Sequence, residues 1–168
     1  MPYPPIPEPL LRQLEAVEPS HDSGLEYRPC RVTLRDGREV DCVYVLPFDA
    51  YIQAWGVTPE QDGAKASLAI DEVVAITESP SRLPASLADK IYRAGESGMG
   101  YCTFSLRFRD GTEQRYTTSN AVDFLPMPSG KGPSDAVDVV THGAPWRKDD
   151  LASLRYHWCL YEGVAAAA

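Results

Sequence analysis

The 168-residue chain is short of most of what would mark a membrane, nucleic-acid or metal protein. No apolar run approaches the roughly 18 residues of a membrane span, and the start, MPYPPIPEPLL, has neither the basic region nor the apolar stretch of a secretory leader. A cytoplasmic protein with no membrane partner is expected. Basic residues are outnumbered, 16 against 24 acidic, for a net charge of −8. Tracking phosphates needs clustered Lys and Arg, so nucleic acid is a poor partner for this chain.

Cysteines are few and scattered. Cys30, Cys42, Cys102 and Cys159 form no C-x-x-C, and His21, His142 and His157 lie too far from them in sequence for a local ligand set, so neither metal nor other cofactor is expected. Reduced, apolar thiols are the simpler reading. There is no G-x-S-x-G elbow, and ESGMGY, which leaves a helix and enters a strand without G-K-S/T, runs in the wrong order for a phosphate loop. Asp71-Glu72 and Asp149-Asp150 are adjacent pairs whose side chains diverge on either a strand or a helix, so neither makes an acid/base dyad. No catalytic residue is assigned. Cys102, Cys159, His142 and His157 keep an open chemical role, through a pairing of His157 with Cys159 or of Cys102 with His142.

What is present is ordinary globular material, 43% hydrophobic and 24% charged. Its size suits one compact domain, or at most two very small halves sharing a core. Residues 1–9 are a proline-rich arm, 10–163 one mixed α+β domain and 164–168 an alanine-rich tail. Leu10, Leu11, Leu14 and Val17 repeat at helical spacing behind Pro9. Residues 25–47 read as a hairpin around Arg35-Asp36-Gly37. A three-residue bend with Gly37 left-handed sets Leu34 against Arg38, Val32 against Val40 and Cys30 against Cys42. Arg109-Asp110-Gly111 bends a second hairpin, pairing Phe104 with Tyr116, Leu106 with Gln114 and Arg107 with Glu113.

Between the hairpins, FDAYIQAWG is a short helix with Asp49 as its cap and Gly56 as its stop. TPEQDGAKAS reads as an exposed loop, LAIDEVVAITE as a strand centred on 73–77, and PASLADKIYRAG as the clearest helix. AVDFLPM and AVDVVTH are candidate strands. Residues 151–162 fit a helix through Leu151, Leu154, Trp158 and Tyr161, or a strand through Tyr156, Trp158 and Leu160. The strand, Arg-Asp-Gly, strand pattern recurs 74 residues apart, but the flanking residues barely agree, so the recurrence reads as coincidence.

Val32, Leu34, Asp36-Gly37, Val40 and Val43, followed by IDEVVAI, together resemble the hairpin-and-return pattern of small SH3- or Sm-like barrels over residues 25–78. The expected fold is α+β, dominated by antiparallel sheet, as a partly closed small barrel or a bent sheet with two or three covering helices. Charge points to use. Residues 1–90 hold 15 acidic and 8 basic residues, against 9 and 8 in 91–168. The leading expectation is a non-catalytic module that binds a basic protein, as an inhibitor or immunity-type partner would, through Asp41, Asp49, Asp71 and Glu72. Trp146 and Tyr161 are candidate exposed aromatics for the same purpose. The alternatives are a small-molecule-binding or sensor domain and, third, a thiol-dependent enzyme.

Overall fold

A computed structural model describes residues 3–63, 65–141, 145 and 147–166. In chain order the elements are α1 (Glu8–Glu15), β1 (Ser20–Asp22), β2 (Leu25–Tyr27), β3 (Pro29–Leu34), β4 (Glu39–Pro47), α2 (Phe48–Trp55), α3 (Pro59–Asp62) and β5 (Ala66–Ala69). They continue through β6 (Val73–Glu78), α4 (Ala85–Ala94), β7 (Cys102–Phe108), β8 (Glu113–Thr118), β9 (Ala136–Thr141) and β10 (His157–Tyr161). The class is α+β with mixed and antiparallel sheets. The chain divides into two compact units, one of residues 1–19, 25–80 and 156–168, the other of 20–24 and 81–155.

The first unit is built on a five-stranded sheet in the order β5-β10-β4-β3-β6. β3 is antiparallel to β4 and β6, while β10 enters parallel to both β4 and β5. This corrects the barrel expectation. The sheet is open, with β5 and β6 as its edges, because β4 takes the C-terminal strand as its outer neighbour. Residues 157–161 are a strand because both faces are covered: Trp158 and Leu160 are buried on one side, Cys159 and Tyr161 on the other. One face packs Val32, Val43, Val45, Cys159 and Tyr161 against Leu10 and Leu14 of α1. The other gathers Tyr44 and Trp158 under Tyr51 of α2.

The proline-rich arm is docked. Ile6 is fully buried, its N–H donates to the Gly163 carbonyl at 3.1 Å, and Ala165 N–H donates back to Ile6 at 2.8 Å. The first hairpin keeps the expected Val32–Val40 pairing, but a bulge puts Cys30 opposite Val43, not Cys42. Cys42 sits at φ +57, the extra residue that lets neighbouring Cys42 and Val43 both be buried.

The second unit pairs β8-β7-β9, all antiparallel, with Phe104–Tyr116, Leu106–Gln114 and Arg107–Glu113 in the expected register. Residues 121–127 are not a strand; Phe124 makes an isolated bridge to Arg82. A buried polar cluster holds this region, with Tyr92 Oη donating to Asp123 at 2.7 Å, Ser20 Oγ donating to its other oxygen, and Arg82 donating to Ser20 at 3.0 Å.

The two units share an internal plan that corrects the reading of coincidence. Gly37 and Gly111 both have φ +85, and each donates to the residue three back at 2.9 Å. Arg35 N–H donates to Glu72 at 2.8 Å and Arg109 N–H to Asp135 at 2.9 Å. A single 3₁₀ turn, Ile70–Glu72 or Pro133–Asp135, leads into the return strand, and both return strands show the same burial sequence. The register shift falls at the same place, Leu34 pairing Val73 and Phe108 pairing Ala136. Even the parallel neighbour recurs: β10 lies on β4, and Leu151 bridges Tyr116 of β8. Helix, hairpin, 3₁₀ turn and return strand are one module used twice. The connection inside it differs. In the first unit residues 48–69 hold α2, α3 and β5, whereas 119–132 in the second hold no helix or strand.

Candidate ammonium-binding box

The carboxylates expected to form one acidic surface do not converge. Asp71 and Glu72 are exposed on the 3₁₀ turn beside the first hairpin bend, where Arg35 Nε donates to the Asp71 carbonyl at 2.7 Å. Asp41 is half-buried and structural: it accepts from Cys42 N–H at 2.8 Å and Ser79 Oγ at 2.5 Å, bracing the bulge. Arg31 stands 3.7 Å away. Asp49 is exposed inside the first turn of α2, accepting from Ala50 N–H at 2.8 Å, while Pro47 occupies the cap position. Tyr161 is core, 8% exposed and packed among the α1-side residues, so it offers no surface. Trp146 and His142 lie outside the described residues.

The thiols are poor nucleophiles. Burial, with Glu96 and Asp22 adding to it, pushes Cys102 up to about 11, and burial followed by Cys30 and Asp71 pushes Cys159 up to about 12. Neither forms appreciable thiolate near neutrality. Among the described residues no group of three His, Cys, Asp or Glu is placed to hold a metal. No described helix is long and apolar enough to cross a membrane.

Cavities open among the described residues of the second unit. One, about 430 Å³, lies at the Arg109–Gly111 bend and is lined by Phe108, Arg109, Asp110, Lys131 and Asp135, with Lys131 already paired to Asp110. Two smaller ones, about 210 and 270 Å³, share Gly95, Glu96 and Cys102. Asp22 and Glu96 both line the latter, and burial, with Glu96 as a further cause, raises the Asp22 carboxyl above its ordinary range.

The most developed chemistry is in the connection peculiar to the first unit. α2, ended by the left-handed Gly56 at φ +73, presents Tyr51 and Trp55 one turn apart toward Trp158 of β10. Thr58 then caps α3 through a reciprocal pair of bonds with Gln61, and Gly63 at φ +63 turns the chain back. This brings Lys65 into the aromatic group. Its Nζ stands 3.6 Å from the Trp55 ring centroid, 5.4 Å from Tyr51 and 6.0 Å from Trp158. Trp158 meets the other two rings at steep angles, Tyr51 at 70° and 5.0 Å and Trp55 at 66° and 5.6 Å, while Tyr51 and Trp55 lie nearly parallel at 28° and 6.4 Å. Asp62 closes the fourth side, its carboxylate 3.0 Å from Nζ.

Such a box offers negative ring faces and one carboxylate to a positive charge withdrawn from water, and the Lys65 side chain is only 12% exposed. Tyr51 and Trp158 are fully buried, yet among the described residues the Tyr51 hydroxyl and the indole N–H groups of Trp55 and Trp158 have no hydrogen-bond partner. Burial first, and then Asp62, pushes the Tyr51 phenol up, so it stays neutral. Tyr3 stacks on Phe48 at 4.8 Å and donates to Glu60 at 2.8 Å, tying the arm to the same connection. None of the box residues belongs to the acidic set read from sequence. The available signal was a Tyr-x-x-x-Trp helical spacing followed by an Asp-x-x-Lys pair. Searches against protein-family models, curated proteins and solved structures return no match for this chain.

Proposed function

We propose that this protein is a non-catalytic, acidic binding module for a basic protein, acting in a reducing compartment such as the cytoplasm, and that it anchors its partner by a lysine ammonium seated in the Tyr51–Trp55–Trp158 box. The observation that supports this is Lys65, whose Nζ already occupies such a seat, 3.6 Å from the Trp55 centroid and 3.0 Å from Asp62. The seat is built on the connection that one copy of the repeated module has and the other lacks. Connections that carry extra structure on a shared scaffold are where recognition concentrates. The net charge of −8 favours a cationic partner at long range.

The test uses a short labelled lysine-rich peptide and its arginine counterpart. The lysine peptide should bind more tightly, and Trp55→Ala should weaken it by roughly threefold to thirtyfold, the range of a partly desolvated cation–π contact. Equal affinity for both peptides, unchanged by Trp55→Ala, would sink the reading.

A second reading, small-molecule sensing, is favoured by the 270 Å³ cavity in which Asp22 and Glu96 share a wall with Asn120 and no lining residue is basic. Native mass spectrometry of protein purified from its source decides it: a small cationic adduct abolished by Glu96→Gln supports it, and a bare chain refutes it.

A further inference from the structure

Resting on the reading that the box receives an ammonium, we propose that Lys65 is a built-in competitor for that seat, and that the external ligand is an ammonium retaining at least one N–H, namely lysine or its mono- or dimethylated forms, in preference to a quaternary one. Three aromatic walls alone would favour a quaternary ammonium, because methyl groups enlarge contact with ring faces. The fourth wall changes the choice. Asp62 stands at 3.0 Å from the seated nitrogen, hydrogen-bond distance for an N⁺–H donor. A trimethylammonium keeps its charge but has no hydrogen to give, and its third methyl would press on the carboxylate. The dimethyl form presents two methyls to the rings and one N–H to Asp62. A guanidinium is planar and stacks on a ring rather than entering a box.

Lys65 is suited to the competitor's part by its place in the chain. It lies two residues after Gly63, whose positive φ ends α3, and directly before β5, so it reaches the box from outside any helix or strand. With its side chain 12% exposed, it both fills the seat and covers it, and Asp62, 33% exposed, stands at the mouth. A ligand must displace a tethered copy of its own functional group. Its apparent affinity is therefore reduced by the fraction of time the seat is free.

The test titrates wild type and Lys65→Met with butylammonium, dimethylbutylammonium and trimethylbutylammonium at constant ionic strength, following the indole N–H signals of Trp55 and Trp158 by NMR. Lys65→Met keeps the apolar stem and removes the charge; should it fold poorly, Lys65→Gln serves in its place. The expected result is dimethylbutylammonium binding at least tenfold tighter to the Lys65 variant than to wild type, with the trimethyl compound several-fold weaker. Adding Asp62→Asn should erase that preference. Indole signals that ignore all three amines in a folded variant would make the box a structural clamp and overturn the proposal. A trimethyl compound that binds best would overturn the selectivity. Should the amines behave as expected while the lysine-rich peptide fails to bind even the Lys65 variant, the seat stands and the protein-partner reading falls.

Discussion

Asp150 shows how single side chains hold the second unit together, and why the sequence did not show it. Its carboxylate is 3% exposed and lies 2.9 Å from Arg115, with Thr117 Oγ1 donating at 2.7 Å and Arg147 N–H at 3.2 Å. Burial alone would raise its pKa, but these donors and Arg115 more than reverse that, leaving the carboxyl below its ordinary range. The folded value lies under the unfolded one of about 3.9, so its stabilisation is complete above about pH 4 and is lost as pH falls through the folded value. Asp150→Asn should therefore lower stability at pH 7 by roughly 1–3 kcal/mol, less than for a fully buried pair because Arg115 is 19% exposed. At pH 3 the gap between variant and wild type should narrow, as urea midpoints at the two pH values will show; a constant gap would contradict the assignment. In the sequence Asp149 and Asp150 look equivalent, and only a strand 35 residues upstream makes them different.

At the scale of elements, both Arg-Asp-Gly bends were legible because an alternating pattern fixes register wherever a face is buried. Replacing Gly37 or Gly111 with Val should cost roughly 1–3 kcal/mol in either hairpin, since both stand at φ +85 and a β-branched residue fits that region poorly. Two unchanged denaturant midpoints would refute the turn assignment. The bulge at Cys42 was not legible, because one inserted residue moves Cys30 from Cys42 to Val43 without altering composition. Nor was β10 settled by pattern: a strand buried on both faces loses alternation, and its partners β4 and β5 are remote in sequence. The short helix α3 carried a readable sign, Thr58 three residues before Gln61, which the polar composition of the surrounding stretch obscured. The box itself joins α2, Asp62 of α3, Lys65 ahead of β5 and β10, a meeting that only the tertiary fold brings about.

Over the whole molecule, the duplicated module was hidden because its two copies conserve register, turn and 3₁₀ lead-in while sharing few residue identities, and hydrogen bonds carry the likeness instead. The charge asymmetry, −7 for residues 1–90 against −1 for 91–168, was plain from the sequence, but in the structure Asp49, Asp71 and Glu72 are exposed while Asp41 is half-buried. Under the proposed function, the part of Asp71 and Glu72 is long-range attraction rather than anchoring. The association rate of the lysine-rich peptide should fall as salt shortens the Debye length from about 10 Å at 0.1 M to about 3 Å at 1 M. Asp71→Asn combined with Glu72→Gln should lower the rate further and leave dissociation nearly unchanged; stopped-flow rates independent of salt would reduce the charge to a solubility feature. The proposed function requires that a partner's lysine enter the box. The most direct measurement is a ¹⁵N-indole NMR titration of the intact wild-type protein with the lysine-rich peptide. Saturable shifts of the Trp55 and Trp158 indole signals are expected at the same peptide concentration that half-saturates binding. Full binding with both indoles unmoved, and shifts confined to the amides around Asp71 and Glu72, would contradict it.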